Sequence, residues 1–145
     1  MGATLQRNLM IASAALLSAV ALWSGQAATR LDLVAQGDQQ WAAGQLDQAQ
    51  ATFERAVRAE PGSLKAHMKL AGLQLSRQDF KASIPTYQAA IGLDANNDKA
   101  WLGLAFSYLH TGQDALAGAA FDSAIRINPA NRDKLASVLE KLQVK

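Results

Sequence analysis

The sequence contains no cysteine. It can therefore form no disulfide, offers no thiolate to a metal, and has neither a thiol nucleophile nor a cysteine for a lipid anchor. Aromatic residues are few, 6% against 50% apolar overall, so a core must be built mostly from Ala, Leu, Ile and Val, which suits closely stacked helices. Charge of one sign is also missing. Fourteen basic and 12 acidic residues leave +2 and are scattered rather than blocked, which gives no electrostatic footprint for DNA or RNA. There are only two histidines, His67 and His110. His110 and Asp114 are four apart but straddle Gly112, a turn residue, so they form no metal or proton-relay pair without further ligands. No strand pattern exists to carry a glycine-rich phosphate loop. The expectation is one domain with no catalytic constellation, no metal and no cofactor.

What is present divides into two parts. Between Arg7 and Arg30 lie 22 uncharged residues, and their centre, Leu9 to Trp23, is continuously apolar or small. A short basic start, an apolar stretch and small residues at Gly25 and Ala27 describe a secretory signal with cleavage after Ala27. The same run just reaches the length of a spanning helix, although Ser13, Ser18, Ser24, Gly25 and Gln26 and the many alanines weaken it as an anchor. Residues 1–27 are thus expected to be a signal peptide or a membrane anchor. Either fate exports the rest of the chain to the periplasm or beyond, in the second case as a single-pass inner-membrane protein. Membrane contact is expected only if the segment stays attached.

The remainder repeats. Pro61, Ala95 and Pro129 stand 34 residues apart, and the same interval joins Phe53, Tyr87 and Phe121; Ala56, Ala90 and Ala124; and Val57, Ile91 and Ile125. Small residues recur seven apart within each unit, at Ala49 and Ala56, Ser83 and Ala90, Ala117 and Ala124, on one helix face where a larger side chain would hold neighbours apart. The interleaved aromatics are expected to fill the core. Gly44 and Gly112 mark the turn inside the first and third units, whereas the second has Gln78-Asp79, so an altered or slightly strained turn is expected there. Pro61 and Pro129 end helices, Asp94-Ala95-Asn96-Asn97 supplies turn-forming side chains where proline is missing, and Pro85 is expected near a first helical turn.

A 34-residue period with this pattern resembles the tetratricopeptide repeat, a helix-turn-helix unit, most fully in Trp101, Leu104-Ala105, Tyr108, Gly112, Ala117, Phe121, Ala124 and Pro129. The resemblance implies an all-α fold, an α-solenoid of three units over 30–61, 64–95 and 98–129. Residues 130–145, with Leu135, Val138, Leu139 and Leu142 on one stripe, are expected to form a C-terminal capping helix that covers the last apolar face. Function is expected on the concave side, lined by the first helix of each unit: Val34, Asp38 and Trp41; Met68, Gly72 and Leu75; Leu102, Phe106 and Leu109. The lysines and asparagines that clamp a C-terminal carboxylate in some relatives are replaced here by Val34, Asp38, Met68 and Gly72. The partner implied is another protein's apolar peptide or amphipathic helix in the envelope. The alternative is a membrane-anchored assembly factor of a secretion, pilus or envelope complex.

Overall fold

The computed structural model describes residues 33–143; the proposed signal or anchor, 1–27, lies outside them. Among the described residues seven helices follow one another: α1 over 33–42, α2 Leu46–Ala59, α3 Leu64–Ser76, α4 Phe80–Leu93, α5 Asp98–His110, α6 Asp114–Ile127 and α7 Asn131–Gln143. They pair as α1/α2, α3/α4 and α5/α6, with α7 after the third pair, a solenoid of three helix-turn-helix units and a cap. Among the described residues no helix is long and apolar enough to cross a membrane.

Local chemistry sets the boundaries. The side chains of Ser63, Asp79 and Asn97 accept hydrogen bonds from the backbone N–H of Ala66, Ala82 and Ala100, covering donors that the first turn leaves without partners. At the other end of each first helix the chain repeats one closure. Gln45, Asp79 and Gln113 donate to the carbonyls of Gln40, Gln74 and Tyr108, each at 2.9 Å, a bond that requires the preceding residue in the left-handed region. Gly44 and Gly112 supply it at φ 74°, and Gln78 is forced into it at φ 64°. The second turn therefore keeps the geometry of its siblings and stores the strain of a side chain there. Pro85 departs from expectation: it is the sixth residue of α4, inside the second turn. Its missing N–H leaves the Lys81 carbonyl without its helical donor, which an exposed position tolerates because water can serve instead.

The core forms three clusters in sequence order. Phe53 packs with Val34, Ala49, Ala56 and Leu73; Tyr87 with Ala71, Ala90, Ala100 and Leu104; Phe121 with Ala105, Ala117, Ile125 and Leu135. Each aromatic sits among the small residues of its own second helix, all of them buried, and fully burying such a ring contributes about 2 kcal/mol. Where the aromatic is a tyrosine, Gly103 lies under its ring; a Cβ there would overlap the ring and its hydroxyl. Burial pushes the Tyr87 phenol up to about 12. Ser83 and Ser107, buried at 0% exposure, join α4 to α5 through a 2.7 Å hydroxyl pair.

The cap docks through Leu135, buried, and Val138, Leu139 and Leu142, half-buried against the third cluster. A polar latch reinforces it. Asn128 and Asn131 each donate a side-chain N–H to Asp98 Oδ2, at 2.8 and 2.9 Å, and Asn131 also donates to the Ala124 carbonyl at 3.2 Å.

Candidate functional site

The first helices present parallel stripes. On α3, Met68, Gly72 and Leu75 follow the i, i+4, i+7 spacing that shares a helix face, and Leu102, Phe106 and Leu109 do the same on α5. All six are half-buried, and Met68, Leu75, Leu102, Phe106 and Leu109 pack inward against the clusters yet keep part of their surface open. Trp41 lies edge-on to Phe53, ring centroids 6.3 Å apart at 79°, and its ring passes over Gly72, where a Cβ would sit 3.6 Å from it. Gly72 thus serves as the bed for the α1 indole. Asp38 accepts an ion pair from Lys69 Nζ at 2.8 Å, which ties α1 to α3 across the rim. Both side chains are about one-third exposed, so this pair contributes little to stability.

Val34 requires a correction. At 8% exposure it belongs to the first core cluster, because the stacking of α1 on α2 and α3 turns that side chain inward, so it offers no surface to a ligand.

Two of the expected residues, Leu75 and Phe106, meet at a cleft of about 440 Å³, lined also by Ser76, Gln78, Phe80 and His110. Phe106 stands edge-on to Phe121, 5.2 Å between centroids at 84°, which fixes its ring without burying it. Phe80 and His110 stack nearly parallel, 4.3 Å apart at 10°, and form the opposite wall. Sequence reasoning missed Phe80 and His110 as wall residues. The signal was available in outline: Phe80 follows the Gln78-Asp79 turn and His110 precedes the Thr111-Gly112 turn, so both lie at the same end of the helix pairs. A projection confined to first helices could not include Phe80, the opening residue of a second helix. Besides Val34, the six remaining nominated residues, Asp38, Trp41, Met68, Gly72, Leu102 and Leu109, lie outside the lining of this cleft.

Each histidine is engaged within the fold. His67 is buried with Nδ1 3.0 Å from the Ser63 carbonyl, and His110 is occupied by its stack on Phe80. Among the described residues no group of three or more His, Asp or Glu could hold a metal ion. The cleft combines the apolar Leu75, Phe80 and Phe106 with the polar Ser76, Gln78 and His110, a lining that can receive a side chain.

A family model described as Tetratricopeptide repeat matches residues 34–98 and, overlapping it, 74–132. Among curated proteins none matches the sequence. Several solved structures share the fold. The first tetratricopeptide repeat domain of Spaghetti (RPAP3), bound to the HSP90 peptide SRMEEVD, is 17% identical with TM-score 0.72, covering 79% of this chain and 90% of that one. The Yersinia enterocolitica type III secretion translocator chaperone SycD is 17% identical with TM-score 0.70, over 78% and 82%. PcrH, in complex with the chaperone-binding region of PopD, is 21% identical with TM-score 0.71, over 78% and 90%.

Proposed function

Because the chain belongs to the tetratricopeptide repeat family, we propose that it is an exported, non-catalytic adaptor that holds an apolar peptide or amphipathic helix of an envelope protein on the face of its first helices. The observation that carries this reading is the cleft between Leu75, Phe80 and Phe106, continuous with a stripe of half-buried apolar side chains. Burying such a surface gives binding energy without demanding hydrogen bonds of the ligand. The complexes of similar fold support it: one holds an HSP90 peptide and another a region of PopD. Export, to the periplasm or the medium, rests on the sequence of residues 1–27.

A second reading keeps Leu9 to Trp23 in the membrane, making the chain a tethered assembly factor of an envelope, pilus or secretion complex; the charge-free run from Asn8 to Thr29 favours it. Intact mass of the purified protein separates the two: a chain starting at Ala28 supports release, and a full-length chain extracted only by detergent supports the anchor. For the groove, Phe106→Ala and Trp41→Ala are expected to weaken partner capture from the native envelope about tenfold, with helicity by circular dichroism retained. Undiminished capture by both variants would refute the groove.

A further inference from the structure

The apolar stripe of the first helices asks no hydrogen bond of a ligand, but the cleft that continues it holds one group that can. Among the described residues the side-chain amide of Gln78 has no hydrogen-bond partner, and it stands in the lining beside Leu75, Phe80 and Phe106. Backbone preference opposes its presence there. The sibling turns take the left-handed region with Gly44 and Gly112, whereas Gln78 takes it at φ 64° with a Cβ in place. A residue held in strain on a ligand face points to a role for its side chain. The repeat shows the same junction without that role. Where α1 meets α3, the positions 34 earlier hold Trp41, Ala42, Gly44, Leu46, Gly72 and Ser76; Trp41 lies over Gly72, and no side-chain amide is among them. Where α3 meets α5, Leu75 and Phe106 stand in the places of Trp41 and Gly72, and Gln78 in that of Gly44.

The rest of the lining narrows the ligand. Ser76 donates its hydroxyl hydrogen to the Leu73 carbonyl at 2.8 Å, and His110 is stacked on Phe80. No lysine, arginine, aspartate or glutamate lines the cleft, so a carboxylate or ammonium group would leave water with no fixed counter-charge beside it. A primary amide carries both a donor and an acceptor, the complement of a main-chain N–H and C=O. An α-helix keeps those groups in its own i to i+4 bonds except at its ends, whereas an extended segment carries them free along its edge. We propose that Gln78 selects an extended segment of the partner, pairing its side-chain amide with the main-chain N–H and C=O next to an apolar side chain seated between Leu75, Phe80 and Phe106. This selection, which rests on the first-helix face being the ligand face, makes the occupant of the cleft a strand-like peptide rather than an amphipathic helix.

Of the chain's two histidines, His110 lines the cleft and His67 is buried, so the His110 ring-proton signals of the full chain report occupancy by NMR. The probe is a capped Thr-Val-Leu-Val-Thr peptide, whose β-branched residues favour the extended form. Two variants of it replace the amide on either side of the leucine by an ester, which removes one N–H, and a capped alanine-rich helical peptide with one leucine is the control. The expected result is a saturable movement of the His110 signals with the amide peptide, about fivefold weaker with one of the esters. Gln78→Gly, which restores the residue of the sibling turns, weakens the amide peptide about tenfold and makes amide and ester bind alike. Equal binding of amide and esters to the unsubstituted chain, or an ester effect that survives Gln78→Gly, overturns the role of Gln78; the first-helix face then stands if Phe106→Ala still weakens the peptide. Tighter binding of the helical peptide overturns the selection as well. His110 signals that stay still with every peptide overturn it together with the cleft as the ligand site.

Discussion

At the scale of single residues, Gln78 shows how closely the repeat dictates backbone geometry. Its φ of 64° against 74° at Gly44 and Gly112 means that the turn is imposed by the packing of α3 on α4, because a residue with a Cβ would not choose it. Gln78→Gly is expected to stabilise the protein by about 1 kcal/mol, equivalent to about 4 °C in Tm for a chain of this size, read by thermal melting. An unchanged or lowered Tm would show that the Gln78 side chain, which lines the cleft, returns more than its backbone costs. This strain was legible in the sequence because Gly44 and Gly112 sit 34 residues to either side of it. The inward turn of Val34 was not legible. The repeat position of Val34 matches that of Met68 and Leu102, which stay half open, and only the stacking of α1 distinguishes them. The place of Pro85 shows the same limit, because the number of residues between a turn and a proline depends on where the helix actually begins.

At the scale of elements, α7 is held by two kinds of contact. Leu135 and the stripe behind it bury apolar area, as their spacing foretold. Asp98 adds a carboxylate at the start of α5 that accepts from Asn131 and Asn128, and these two hydrogen bonds hold its carboxyl below the ordinary range. No sequence pattern announced that latch: its three residues are 30 and 33 positions apart and meet only because one full repeat returns the chain to the same edge. The sign of its pH dependence follows. A folded-state value below the unfolded one stabilises the fold above about pH 4, the unfolded carboxylate value, and that contribution is lost as pH falls through the folded value. Asp98→Asn is expected to lose about 1 kcal/mol or less at neutral pH, since solvent reaches the group, and to flatten the acid side of the stability profile. Melting curves from pH 2 to 7 check this; an acid limb identical in both proteins would show that other carboxylates produce it.

At the scale of the whole molecule, the cap and the outward faces decide behaviour in solution. Removing residues 131–145 would uncover the cluster around Phe121 and Ile125, and an uncovered terminal face in a stacked array invites association. The truncated chain is expected to melt several degrees lower, by roughly 2–4 kcal/mol for the lost Leu135 side and its neighbours, and to sediment as a mixture of sizes. A monomer with unchanged Tm would remove α7 from its role as a cap. The arrangement of the core has a kinetic consequence as well. Each of the three clusters joins helices that are neighbours in the chain, and among the described residues no helix reaches past the next but one. Ordering therefore never waits for distant segments to find each other, and the entropy spent on loop closure stays small at every step. The middle unit has a stacked neighbour on both sides. Amide exchange should accordingly be slowest in α3, α4 and α5 and grow faster toward both ends, so that the molecule opens from its termini inward, as a one-dimensional chain of coupled units does.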